Sequence, residues 1–148
     1  MDKKVDFVGL QETMRQNFSR TDLQKLCAGG DFHWHHTPSK GKSGGLLLGV
    51  NYTTLDVISQ EEGEYYIKMT VQDVKSKVMW DLVLVYGEAQ MIRKARFLAE
   101  LARVLQHKVN PILIGGILIL LGNPLKKTNL DHQVIGALCS MTSLNNQI

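Results

Sequence analysis

The sequence predicts a strand-rich α+β fold. Three observations carry that prediction: apolar runs of strand length recur between Val5 and Ile114, one long segment has helical periodicity, and Gly, Pro and charged residues separate them. The chain has 148 residues, the length of one domain. At 44% hydrophobic and 21% charged it is too apolar for a disordered segment, and as a whole it lacks the repeat of collagen or a coiled coil.

Val5 to Leu10 reads as a buried strand that ends in the polar tip Gln11-Glu12-Thr13, which sets a carboxylate at a strand end. Thr21 and Gln24 have capping-box spacing, Leu23, Leu26 and Cys27 share a face, and Gly29-Gly30 is a stop, so residues 21 to 28 read as a short packing helix. Residues 31 to 42 mix His, aromatic, Pro and Gly, a loop or edge strand. Leu46 to Val50 then forms a buried strand. The β-favouring segments 53 to 59 and 64 to 71 flank Gln60-Glu61-Glu62-Gly63, the expected hairpin connection. Trp80 to Tyr86 is the clearest strand, closed by Gly87. From Gln90 to His107, Ile92, Ala95, Leu98, Leu101, Ala102 and Leu105 recur at three- and four-residue steps, an amphipathic helix with this apolar face inward. Asn110-Pro111 ends it, and Ile112 to Ile114 opens another strand before Gly115-Gly116.

The longest uncharged apolar run, Pro111 to Leu121, falls short of the ~20 residues that span a bilayer, and the start leads into no signal-peptide core. No membrane partner is expected. Cys27 and Cys139 lack CxxC spacing, so no disulfide is expected and a nuclear or cytoplasmic location follows. The net charge of +3 does not by itself announce nucleic acid, because binding follows local patches.

Gly41-Lys42-Ser43 is not a phosphate loop: His36 stands where that motif needs its first Gly, and a strand-like run follows the Ser. His33, His35 and His36 have no Cys or carboxylate at ligand spacing, which favours an edge strand over a zinc site. Arg93, Lys94, Arg96 and Arg103 occupy the other face of the long helix. Either that face is simply solvated or it is a phosphate-contacting stripe. Trp34 and Trp80 do not interleave with basic residues, which gives base stacking little support.

Four short signatures follow one another: VDFVGLQET from Val5 to Thr13, PSKGKSGGLLL from Pro38 to Leu48, LVLVYG from Leu82 to Gly87, and PILIGG from Pro111 to Gly116, with Asn123-Pro124-Leu125 beyond. In this order they resemble the endonuclease/exonuclease/phosphatase superfamily, most closely the endonuclease domain of plant LINE-type non-LTR retrotransposons. The resemblance assigns residues 1–127 to a partial domain of that kind and leaves 128–148 as a divergent tail. It implies two packed, mostly antiparallel β-sheets flanked by helices in four layers, incomplete at both ends. It also implies a Mg²⁺-dependent phosphodiesterase that nicks DNA, with Glu12 binding the metal and Tyr86 contributing to the phosphate site. Ser43 lies in the SGG segment and receives no catalytic role.

After the final Gly-Gly the family carries an Asp-x-Asn pair, and here those positions are Ile117 and Ile119. An isoleucine neither accepts a proton nor holds a cation, and a positioned general base is worth about 100- to 10,000-fold in rate. The family's catalytic His has no counterpart either; Asp131-His132 has the wrong order. The expectation is therefore an endonuclease remnant with impaired catalysis. The alternatives are a non-catalytic nucleic-acid-binding module, held to DNA through Arg93, Lys94 and Arg96, or a non-functional fragment.

Overall fold

A computed structural model describes residues 5–27, 30–41, 44–87, 90–106 and 109–116. Ser43, Ile117, Ile119, His132, Cys139 and the tail 128–148 lie outside the described residues.

The first sheet consists of β1 (Phe7–Gln11), β2 (Phe32–Thr37) and β3 (Leu46–Asn51) in the order β1-β3-β2, all antiparallel. β3 is central, and its run of Leu and Val is buried on both faces. The second sheet has the order β4-β5-β6-β7, from β4 (Leu55–Glu62), β5 (Tyr66–Asp73), β6 (Met79–Val85) and β7 (Ile112–Gly115). Its first two pairings are antiparallel. The β6–β7 pair is parallel, because the long helix carries the chain back across the sheet between them.

The sheets pack through alternate residues. Phe7, Leu46, Leu48 and Val50 of the first meet Leu55, Ile67, Met69, Val71, Leu82 and Leu84 of the second. Phe7 stands edge-on to Trp80 at 5.9 Å. The intervening residues of β6, Val83 and Val85, face the other way and receive helix α2 (Met91–Gln106). This is the expected α+β sandwich of two packed sheets with helices outside. No helix among the described residues is long and apolar enough to cross a membrane.

α2 lies on the sheet through a different face from the one the sequence suggests. Phe97 and Val104 are buried with Leu101 beside them, whereas Ile92 is 87% exposed and Leu98 46%. The docking is decided by Phe97, edge-on to Tyr65 at 5.6 Å, and by Glu100, whose carboxylate accepts the Glu64 and Tyr65 N–H groups, each at 2.9 Å. A large aromatic and a pair of charge-assisted hydrogen bonds outweigh a stripe one third made of alanine.

The short helix α1 (Arg20–Leu26) starts one residue earlier than expected and has none of its residues buried, so it is not the packing helix the sequence suggests. Its cap is Ser19: the hydroxyl accepts the Asp22 N–H at 3.1 Å, and the Asp22 carboxylate accepts the Ser19 N–H at 3.2 Å. Arg15 pairs with Asp22 at 2.9 Å, which selects this box over the Thr21–Gln24 alternative. The hydrogen bonds to Ser19, and then Arg15, hold the Asp22 carboxyl below its ordinary pKa. The cap therefore operates fully above the ordinary carboxylate value and is lost as pH falls through the depressed folded value. An NMR titration of Asp22 should give a midpoint below that of a free Asp, and Ser19→Ala should move it upward. An unmoved midpoint would contradict the capping box.

The β4–β5 connection also moves. Strand pairing continues through Glu61 and Glu62, and the turn occupies residues 63–65, with the Gly63 N–H donating to Tyr66 O at 3.0 Å. Glu61 lies opposite Lys68 in the ladder, 3.7 Å away, so its charge belongs to an edge strand rather than to a turn. β2 is the edge of the first sheet, as one reading of residues 31 to 42 proposed. His33 meets Tyr52 Oη at 2.9 Å and Gln60 Oε1 at 2.8 Å, and His35 meets Glu62 Oε2 at 2.7 Å, which ties the β2 edge to the β4 edge.

Candidate active site

The four signatures meet at one end of the sandwich. β1, β6 and β7 all finish there, and β3 begins there, with Gln11 opposite Leu46 and Leu84 opposite Gly115. At the tip of β1 the chain bends through two left-handed residues, Glu12 at φ 49° and Met14 at φ 52°. Side chains adopt that region reluctantly, so the surroundings must impose it. The Thr13 N–H donates to Gly45 O at 3.2 Å and the Met14 N–H to Gly44 O at 3.1 Å, which pins the bend to the Gly-Gly segment before β3. Gly45 is itself at φ 90°, and a side chain there would strike the Thr13 hydroxyl. That hydroxyl is buried and has no hydrogen-bond partner among the described residues.

A second clamp joins three strands. The Gln11 amide Nε2 donates to Val85 O at the end of β6, and both groups lie against Gly116 at the end of β7. At φ 133°, with those two groups in the place of any Cβ, position 116 admits only glycine. The final glycine of PILIGG thus leaves space for the residue preceding Glu12.

These clamps bring the two sequence-assigned residues together. Glu12 is exposed and Tyr86 half-buried, and the Tyr86 hydroxyl donates to Glu12 Oε1 at 3.2 Å. The Tyr86 N–H donates to Tyr65 O at 2.7 Å, which anchors the tyrosine to the turn between β4 and β5. One hydrogen bond leaves the carboxylate with acceptor capacity facing solvent. Among the described residues no three His, Cys, Asp or Glu side chains cluster as a metal cage. The chemistry fits Mg²⁺ in a narrower sense: Mg²⁺ is commonly held by one or two carboxylates, with water and substrate phosphate completing its shell, and the exposed Glu12 carboxylate is a group that could serve as one such ligand. Ile117 and Ile119 follow Gly116 in the chain and lie outside the described residues.

No family model and no curated protein matches this chain. Solved structures do. The human Nocturnin catalytic domain with bound sulfate aligns at a TM-score of 0.54 and 12% identity, over 75% of this chain and 50% of that one. ANGEL2, a 2',3'-cyclic phosphatase in complex with adenosine-2',3'-vanadate, aligns at 0.53 and 14% identity over 87% and 43%. Truncated Caenorhabditis elegans TDP2 aligns at 0.50 and 15% identity over 78% and 50%. The chain shares the fold of these structures. This chain spans half or less of the length of these structures.

α2 follows β6 in the chain, and its first turns carry Arg93, Lys94 and Arg96. None of the three makes an ion pair among the described residues, whereas Arg15, Lys40, Lys68 and Arg103 all do. Arg96 lines a cavity of about 340 Å³ with Glu64, Tyr65 and Glu100. Tyr65 thus links this cavity to the Tyr86 backbone. Sequence reasoning missed Gln11, Thr13, Gly45 and Gly116 as the residues that shape the site. It also missed the Lys40–Glu64 pair, at 3.2 Å, which bridges the loops of the two sheets at the same end. The available signal was that Gln11, Thr13, Gly45 and Gly116 all fall inside the four signatures.

Proposed function

We propose that this chain is the remnant of a Mg²⁺-dependent, DNA-nicking endonuclease domain of LINE-type retrotransposon origin, with impaired catalysis. The observation that carries the reading is the Glu12–Tyr86 pair at the end of the sandwich where all four signatures converge. Bound at Glu12, Mg²⁺ would supply positive charge against the phosphate. The chain's own part is to place the Glu12 carboxylate for the metal, to hold Glu12 and Tyr86 together through the Gln11–Val85 clamp, and to release the single Tyr86 O–H from Glu12 as a donor towards a phosphate oxygen. What it lacks at Ile117 and Ile119 is a group able to take the proton from an attacking water.

The test is incubation of the purified chain with supercoiled plasmid and Mg²⁺. Expected is nicking that is slow or undetectable. Robust nicking that disappears in Glu12→Ala would overturn the impairment while keeping the site.

One observation favours a second reading, a module that holds nucleic acid without cutting it: three cations without ion-pair partners among the described residues stand on the helix that leaves the site. Affinity for a DNA duplex should then fall steeply with salt. Neutralising Arg93, Lys94 and Arg96 together should reduce the logarithmic salt slope by about 0.9 for each phosphate whose charge these side chains had balanced. Binding that ignores salt removes this reading.

A further inference from the structure

Tyr86 stands one residue beyond the ladder of β6, whose last pairing is Val85 with Tyr66. Its N–H donates to Tyr65 O at 2.7 Å, and Tyr65 in turn precedes β5 and belongs to the 63–65 turn. The backbone of Tyr86 is therefore held by a turn rather than by a strand pairing. That turn is gripped from α2. Glu100 Oε1 accepts the Glu64 N–H and Glu100 Oε2 the Tyr65 N–H, each at 2.9 Å. Tyr65 is thus fixed to the helix through its N–H and holds Tyr86 through its C=O.

The fit is specific to a carboxylate. It presents an acceptor on each oxygen and serves two successive backbone N–H groups at once, which the single oxygen of a Gln cannot do in the same geometry. Gly63 leaves the room for it: a Cβ there would collide with the Glu100 carboxylate and the Tyr66 ring. The Glu100 side chain is only 14% exposed, and Arg103, one turn further along α2, lies 3.9 Å away and offsets its charge. Apolar contact through Phe97 and Val104 buries one face of the helix, and Glu100 adds to that docking a hold on the turn.

We infer that Glu100 is a positioning residue for the site at the end of the sandwich: acting through the 63–65 turn, it fixes Tyr86 where its hydroxyl reaches Glu12. The relay runs from α2 through Tyr65 and Tyr86 to Glu12 Oε1, 3.2 Å from the Tyr86 hydroxyl. It starts on the helix that carries Arg93, Lys94 and Arg96, so a shift of that helix is felt at Tyr86. The phosphate role of Tyr86 rests on the endonuclease reading, whereas the hold of Glu100 on Tyr86 does not.

The test is amide hydrogen exchange and ring NMR on the full 148-residue chain, comparing the parent with Glu100→Gln, Val104→Ala and Glu12→Ala. Gln keeps the size of Glu but turns an amino group towards one of the two N–H donors. Expected in Glu100→Gln is exchange of the Tyr86 amide at least about tenfold faster, while the Met69 amide in β5, between β4 and β6, reports global unfolding and changes less. The Tyr86 ring resonances should move in the direction seen in Glu12→Ala, where the hydroxyl has lost that acceptor. Val104→Ala removes apolar contact one turn further along α2 and leaves both N–H bonds to Glu100 in place, so there the two amides should change in step. An unmoved Tyr86 in Glu100→Gln overturns the inference. So does a Tyr86 that follows Met69 in both helix variants, the pattern of a residue that only stabilises the fold. Neither readout involves nicking, so the endonuclease reading can fail while this inference stands.

Discussion

Ile117→Asp combined with Ile119→Asn is expected to raise Mg²⁺-dependent plasmid nicking by about 100- to 10,000-fold over the parent chain. The size of the effect follows from what is retained. Glu12 is exposed, carries a single hydrogen bond from Tyr86, and sits on a bend pinned by Gly44 and Gly45. On the proposed reading, with Glu12 as metal ligand and Tyr86 as phosphate donor, an Asp at position 117 would add the group that takes the proton from water. The gain must vanish when Glu12→Gln is added, because it depends on the same carboxylate. If the double substitution leaves nicking at background while the chain still unfolds cooperatively, the proposed role of these two positions is wrong.

Phe7→Ala should cost roughly 3–5 kcal/mol of stability. Phe7 is 1% exposed, stands edge-on to Trp80, and touches the core contributed by both sheets. β1 pairs with β3 alone among the described strands, so little else holds it in register. Against a typical total of about 5–15 kcal/mol this single change approaches global unfolding. Urea denaturation should show a lower midpoint at unchanged slope. A loss below about 1 kcal/mol would mean that β1 is not packed between the sheets as described.

The strands were legible because burial on both faces writes itself as a continuous apolar run, as in Leu46 to Val50 and Leu82 to Val85. The face of α2 was not, because the helix carries two apolar stripes at the same spacing. Only Phe97 meeting Tyr65, and Glu100 meeting the 63–65 turn, decides between them. The cap of α1 had the same ambiguity: Ser19–Asp22 and Thr21–Gln24 both satisfy the pattern, and Arg15 resolves it from outside. Glu12 could be placed at a strand end, but its left-handed backbone could not, since nothing in a Gln-Glu-Thr triplet encodes φ 49°. The hydrogen bonds that impose the bend come from Gly44 and Gly45, far along the chain.

That separation matters for how the chain comes to be folded. The Gln11–Val85 clamp and the Tyr86–Glu12 bond each join residues 74 positions apart. Contacts of such sequence separation are entropically expensive to close and form late. The hairpins β4–β5 and β5–β6 can zip locally long before β1 finds its place. A chain emerging from the ribosome therefore presents Glu12 first but cannot hold it beside Tyr86 until β6 has been made, and β7 must follow before Gly116 closes over Gln11. The Glu12–Tyr86 bond is thus withheld from every partly folded form, and it reports that β1 and β6 have met at this end.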